Sequence, residues 1–598
     1  MNSERSQFKR IDVFSFICRP ALSLAALSLF LSACSEEPEG SGSNGSKPVA
    51  PYCNTKATFA SDSPITVTGT AKFEYRIKGN GPVTTNPEPI KYAEVRVTDS
   101  SGNIIQCSET DENGEFSFPL PGNGAAYTVS VLSRSNNEHN TAYILNNPTD
   151  NKEYELSKTI TASGSPHVDL LAKATGDLKG GAFNILDQIY KAQKFLREET
   201  KDCDQSGSPT YYPDCVPFTT APVANIYWSP GVSPGIYVGV DGPISFYLSG
   251  TNSLYILGGE NGDTQYSDMD HFDNSVIIHE YAHFIEDIFG KPDSPGGSHD
   301  ADSIIDPRLA WSEGFANYFQ AAVLGIDYYL DTSGHVGCGT NCKSEIKLKL
   351  DPNPSDTYND KPREDGEGNF REFSVARLLY DVTKNGGASQ FSEIWTILRG
   401  PSNGFYGISD RFKSIGRFHV IQRSLSGDSS WSTLRTTEKQ TGNLANFATP
   451  LKVCDGDPSQ HMAIMRCSGD SGSFSTSNLL RNNDFFVYDH PGGPLSVSLT
   501  WRTWQTYHKA DLDLYIYKEG YYFGDSSTMA AKSDTASDSN SGSESINTVL
   551  PAGTYMINVM AYTGIYQTPN VTHDTSYKLQ LNGTYYCPDP GSDPDASP

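Results

Sequence analysis

The pentapeptide His279-Glu280-Tyr281-Ala282-His283 places two imidazoles and a carboxylate where they can act together on one metal ion. On an α-helix, residues four apart share a face, so both rings reach the same ion. Glu280 stands beside His279 and can point at a water that the ion holds. A zinc ion with three protein ligands keeps a fourth position for water, and makes that water acidic near neutral pH. These residue types therefore point to hydrolysis by a zinc-activated water, with Glu280 as its base.

The pentapeptide needs a helix, and the flanking residues supply one. Asp273 occupies an N-cap position ahead of Ser275-Val276-Ile277-Ile278, and Gly290 with Pro292 supplies a stop, which predicts a helix of about four turns. Val276, Ile277, Phe284 and Ile288 give it an apolar surface to bury. A third ligand must come from elsewhere. Downstream, Asp306-Pro307 opens a second helix that Gly325 closes, and within it stands Trp311-Ser312-Glu313-Gly314-Phe315-Ala316-Asn317. Glu313 is a carboxylate in an apolar, small-residue stretch: a rim residue, or a metal ligand. A buried carboxylate without a partner is costly, which favours the ligand. Gly314 and Ala316 would let this helix pack closely on its neighbour.

A His-Glu-x-x-His helix followed by a Glu on a second helix resembles the gluzincin metallopeptidases, the thermolysin-like clan, over roughly residues 175–450. The resemblance implies that His279, His283 and Glu313 bind one Zn2+ and that Glu280 is the general base and acid. Asn317 stands where thermolysin-like enzymes carry an Asp that orients a zinc-bound His, and its amide oxygen can accept the same hydrogen bond. The metzincin pattern is excluded, because Glu286 and Phe289 occupy its Gly and His positions. Gluzincins add a Tyr or His that supports the oxyanion; Tyr380, in the helical run 371–381, is the candidate, with a packing role as the alternative. His299 and His335, in Gly- and Ser-rich loops, read as solvated. Leu254-Tyr255-Ile256-Leu257 reads as the edge strand that such enzymes offer to an extended substrate. Gly258-Gly259-Glu260-Asn261 reads as a polar turn rather than an amine-binding element. That favours an endopeptidase over a zinc aminopeptidase.

The N-terminus carries Arg5, Lys9, Arg10 and Arg19, then an apolar run from Ala21 to Leu31, the layout of a secretory signal too short to span a bilayer. Leu31-Ser32-Ala33-Cys34 resembles the lipobox of bacterial lipoproteins, which implies cleavage before Cys34 and its acylation; an ordinary cleavage site is the alternative. Ser35 in place of Asp suggests the outer membrane of the bacterial cell envelope. The Gly-, Ser-, Pro- and acid-rich stretch that follows reads as a tether. Eleven cysteines suit an oxidising compartment. Cys18 falls within the signal and Cys34 at the lipobox; of the other nine, Cys203 with Cys215, Cys338 with Cys342, and Cys454 with Cys467 read as local disulfides, and Cys53 with Cys107 as a longer one, leaving Cys587.

A formal charge of −26 argues against nucleic acid and against a polybasic membrane patch, so contact with a membrane falls to the lipid anchor alone. Residues 60–172 alternate polar and apolar types, punctuated by hairpin-type turns at 99–103 and 111–114. They resemble the transthyretin-like or carboxypeptidase-regulatory-like sandwich. Residues 475–582 resemble the pre-peptidase C-terminal domain of secreted bacterial proteases. Members of that family sometimes bind Ca2+, and Asp511 and Asp513 offer oxygen ligands, or simply a solvated strand face.

The expected architecture is multidomain, with an α+β catalytic domain between two all-β sandwiches. Its spans are a signal peptide (1–33), a tether (34–58), an N-terminal sandwich (59–172), a zinc metallopeptidase domain (173–470), a C-terminal sandwich (475–585) and a disordered tail (586–598). The expected function is hydrolysis of peptide or protein substrates at the cell envelope. A catalytically silent adhesion or scaffolding lipoprotein is the alternative from another class.

Overall fold

A computed structural model of the chain describes residues 47–55, 64–76, 82–84, 86–294, 296, 299, 305–334, 343–350, 367–386, 388–408, 413–427, 431–438, 440, 447–450, 452–453, 463–468, 483–503, 509–518, 529–537, 539–561 and 572–587. The signal segment, Cys34, His335, Cys338, Cys342, Cys454 and residues 588–598 lie outside the described residues, as does the side chain of Cys467. Among the described residues, no helix is long and apolar enough to cross a membrane.

The chain is multidomain and rich in sheet. Its first sandwich follows from the period-two pattern. In the strand Pro64–Phe73, Val67, Gly69, Ala71 and Phe73 face inward and alternate with polar neighbours. This strand pairs antiparallel with Glu115–Pro121 and parallel with His167–Ala172. The facing sheet runs Ile104–Glu109, Glu94–Thr98, Ala126–Leu132, Glu155–Thr161. Gly69 lies opposite Phe116, and a Cβ there would come within 2.2 Å of the ring, so only glycine admits the aromatic. The two expected turns differ. Residues 99–103 close a hairpin, with Asp99 Oδ1 accepting the Ser101 and Asn103 amides. Residues 111–114 instead carry the chain from one sheet to the other, because Glu115–Pro121 pairs with the first strand.

Strand pairing crosses three of the expected boundaries. Arg134–Asn136 and Thr141–Leu145 lie inside 59–172, yet they join the next domain's five-stranded sheet. Its order is Phe246–Leu248, Ser253–Ile256, Ala224–Trp228, Thr141–Leu145, Arg134–Asn136. At the far end, Phe447–Pro450, Lys452–Val453 and Ala463–Ser468 pair into the C-terminal sheets, so that sandwich begins before 475. The strand Thr584–Cys587 runs two residues past the expected limit at 585. In the C-terminal sandwich the inward residues Leu495, Val497, Leu499 and Trp501 follow the alternation read from sequence.

The end of the expected tether is pinned. Arg134, fully buried, donates to both carboxylate oxygens of Glu94 at 2.8 and 3.0 Å, and its remaining donors take the Ala50 and Pro51 carbonyls at 2.7 and 2.9 Å. A guanidinium has five donors and must satisfy them when buried, so the chain folds back over it. A Cys53–Cys107 disulfide closes the same region, and Cys203–Cys215 staples the turn that follows the helix Lys179–Thr200.

Seven helices among the described residues carry the remaining core: α1 (Lys179–Thr200), α2 (Asn274–Gly290), α3 (Pro307–Leu324), α4 (Glu372–Gly386), α5 (Ala388–Arg399), α6 (Ile415–Ser426) and α7 (Ser432–Thr437). One apolar core runs from Val67 in the first sandwich to Trp431 beside α7, so sandwich and helices bury each other. In α3, a Cβ on Gly314 would lie 2.5 Å from Val375 of α4, so glycine sets that close approach.

Arg134→Met should leave the buried Glu94 carboxyl without its bidentate partner, with Arg96 Nη2 at 2.9 Å as the remaining guanidinium beside it. We expect a loss of about 3–5 kcal/mol in urea unfolding of the intact chain.

Candidate metal centre

α2 and α3 present the chemistry. Asp273 does stand at the N-cap of α2, but its side chain makes no capping bond; it accepts from the Thr332 amide at 3.1 Å and hydroxyl at 2.9 Å. The helix reaches Gly290, and the left-handed residue after it is Lys291 rather than a glycine. α3 begins as its sequence suggests: Asp306 accepts the Arg308 amide, Pro307 occupies the first position, and Gly325 ends the helix at φ 65°.

Packing of these helices brings His279, His283 and Glu313 to one point. His279 Nε2 lies 3.1 Å from Glu313 Oε2, His283 Nε2 lies 3.4 Å from it, and the two Nε2 atoms are 3.2 Å apart. Four ligands at tetrahedral angles, about 2.0–2.1 Å from a zinc ion, stand about 3.3–3.4 Å from one another. The three atoms therefore fit a zinc coordination sphere with one position to spare.

The outer nitrogens fix the tautomers. His279 Nδ1 lies 3.0 Å from Asn317 Oδ1, an oxygen that only accepts, so Nδ1 carries the hydrogen. Ser312 donates its hydroxyl to Glu286 Oε2 at 2.6 Å, so its oxygen accepts from His283 Nδ1 at 3.3 Å. Trp311 Nε1 holds the other Glu286 oxygen at 2.7 Å. Both Nε2 lone pairs are thus turned toward Glu313, as metal ligands require.

Burial and charge act in opposite directions here. Burial lowers the His283 imidazole, but Glu313 beside it, with Glu280 and Glu286, outweighs this and holds it up at about 9. Burial raises the Glu313 carboxyl, yet His299 and His283 pull it well below the usual carboxylate range. Burial pushes the Glu280 carboxyl up, opposed by the two imidazoles and assisted by the charge of Glu313. Burial likewise brings Glu286 to about 7. Such competition between desolvation and neighbouring charge marks a site able to exchange protons.

Other sequence expectations change. His299 is half-buried beside the cluster: its Nε2 lies 3.4 Å from Glu313 Oε2 and 3.7 Å from Glu372 Oε2. Tyr380 is two turns beyond Glu372 on α4, about 12 Å further along the axis. The tyrosine that meets the cluster is Tyr329, whose ring centre is 5.8 Å from that of His279. Ser253–Ile256 is an interior strand; the edge belongs to Phe246–Leu248, paired antiparallel outside it. Tyr247 of that edge hydrogen-bonds Asp287 of α2 at 2.5 Å, and its backbone N–H faces the Glu280 carboxylate. Glu260 lies in a turn closed by the Asp263 amide. Asp511 and Asp513 are buried rather than solvated, with Asp511 accepting from the Ser537 amide and Asp513 from the Tyr515 hydroxyl. Among the described residues they join no three-ligand cluster.

Sequence reasoning missed Ser312, the role of Glu286, Tyr329 and His299. Glu286 carried a usable signal, since it stands three residues after His283 on the same helical face. Tyr329 and His299 arrive through loop geometry that no local pattern encodes.

No protein-family model matches this chain. A 62-residue stretch is 42% identical to an uncharacterized protein of Archaeoglobus fulgidus, covering 10% of this chain and only 18% of that relative. Two solved structures show low overall similarity. The pre-peptidase C-terminal domain of collagenase from Bacillus anthracis aligns over 88% of its length with 20% of this chain, at 13% identity and a TM-score of 0.13. A cycloisomaltooligosaccharide glucanotransferase from Paenibacillus sp. aligns over 72% of its length with 86% of this chain, at 10% identity and a TM-score of 0.12.

Ser312→Ala removes the acceptor that holds the His283 tautomer. Zinc affinity, measured by chelator competition, should fall about 10–100-fold with the fold intact.

Proposed function

We propose that this chain is a zinc-dependent peptidase of gluzincin type that cleaves extended protein segments at the bacterial cell envelope. The observation that carries the reading is the convergence of the His279, His283 and Glu313 ligand atoms within 3.4 Å, with the buried carboxylate of Glu280 beside them. A zinc ion held by those three residues would supply Lewis acidity, making a water acidic near neutral pH and polarising a carbonyl.

The chain's own residues do the rest. Glu280 accepts the proton of the attacking water and delivers it to the leaving amine; its raised affinity for protons suits both halves of that task. Asn317 and the Ser312–Glu286 pair keep the imidazoles oriented and neutral at Nε2. The strand Phe246–Leu248 forms the edge of its sheet and runs beside Glu280, a place where an extended peptide could lie along it, which favours internal cleavage. Tyr329, beside His279, replaces Tyr380 as the side chain positioned to support an oxyanion.

The N-terminal signal and Cys34 would deliver and anchor the enzyme. The two sandwiches, resembling transthyretin-like and pre-peptidase C-terminal modules, carry no comparable constellation among the described residues and would serve as spacers or binding modules.

Cleavage of casein by the unlipidated protein tests this. Glu280→Gln should lower the rate by about 10²–10⁴-fold while zinc content stays at one per chain. Unchanged cleavage in that variant, or a wild type that binds zinc and cuts neither casein nor short unblocked peptides, would remove the assignment.

A further inference from the structure

A second group of ligands lies behind the catalytic helix, on residues that the zinc chemistry does not use. Asp268, Asp270 and Asp331 each bring a carboxylate oxygen within 4.8 Å of the others. Two of them precede α2 and the third stands on the strand Tyr328–Gly334 that follows α3. Asp273 adjoins them, with both oxygens engaged by Thr332.

Hydrogen bonding leaves this group incomplete. Asp270 is only 4% exposed; its Oδ2 accepts from the Ser245 hydroxyl, while its buried Oδ1 has no partner. Asp331 Oδ1 is likewise buried and unpartnered. Asp268 accepts only the Met269 amide. Among the described residues, no Lys, Arg or His comes within ion-pair distance of any of the four carboxylates. Buried carboxylates facing one another without a cation are strongly unfavourable, and a buried acceptor without a donor adds to the cost.

A metal ion resolves both. Oxygen atoms within 4.8 Å of one another are close enough for a cation to draw them onto itself at about 2.3–2.6 Å, the distance at which Ca2+ takes its oxygen ligands. The donor set is all carboxylate, with neither imidazole nor thiolate, which selects a hard cation over zinc. We propose that Asp268, Asp270 and Asp331 form a Ca2+ site distinct from the zinc centre, with Asp270 Oδ1 and Asp331 Oδ1 as its buried ligands.

Its role is positional. The ion would tie the segment entering α2 to the strand that carries Tyr329, whose ring packs edge-on against His279. The site stands whether or not the chain is a peptidase, because none of its ligands belongs to the zinc centre.

Hydrogen-exchange mass spectrometry on the intact, zinc-loaded chain tests it without mutation. Adding CaCl2 to protein freed of calcium with a calcium-selective chelator and then reloaded with zinc, at the ~10⁻⁴–10⁻³ M range of extracellular calcium modules, should slow exchange at least tenfold in peptides covering 268–273 and 328–332. Asp331→Asn should abolish that protection and leave zinc content at one per chain. Asp513→Asn, in the C-terminal sandwich, should leave it unchanged. No calcium-dependent protection in those peptides of the wild type, or protection that persists in Asp331→Asn, would overturn the proposal. So would protection confined to residues around 511–518.

Discussion

Everything at the centre of this protein depends on three lone-pair-bearing atoms held within 3.4 Å of one another in a buried place. Two imidazole nitrogens and a carboxylate oxygen do not approach so closely without a proton or a cation among them. The outer nitrogens are already committed to Asn317 and Ser312, which turns the inner lone pairs toward a shared point. That arrangement is preorganised, so a metal entering it would meet ligands already in their binding tautomers.

The fold can be understood as the means of holding that point still. Gly314 lets α3 lie close on α4, and the aromatic face of Trp311 packs among Phe315, Phe405 and Phe418 while its Nε1 holds Glu286. The first sandwich is part of the same support. Two of its inserted strands extend the sheet that lies beside α2, and Arg134 joins that sheet to Glu94 in the sandwich. A single apolar core through both units resists relative movement.

The members of this cluster were legible in the sequence because their geometry is local: His279 and His283 share a helical face, and Glu313 is a lone acid in an apolar helix. Inward alternation revealed both sandwiches for the same reason, since a period of two needs no long-range information. The features that escaped are long-range. Whether Tyr329 or Tyr380 meets His279 depends on how the strand Tyr328–Gly334 returns after α3. Which strand forms the sheet edge depends on Phe246–Leu248 pairing outside Ser253–Ile256. Arg134–Asn136 and Thr141–Leu145 have ordinary strand composition, and nothing in it says which sheet they join. Asp273 shows a subtler limit, since its N-cap position was readable while the partner of its carboxylate, Thr332, was 59 residues away.

X-ray absorption at the zinc edge of the zinc-loaded, full-length protein tests the central claim most directly. The account predicts one zinc per chain, in a shell of nitrogen and oxygen at about 2.0–2.1 Å containing two imidazoles, with one imidazole lost in His283→Ala. A shell containing sulfur, three imidazoles, or a zinc that keeps both imidazoles in that variant would contradict it.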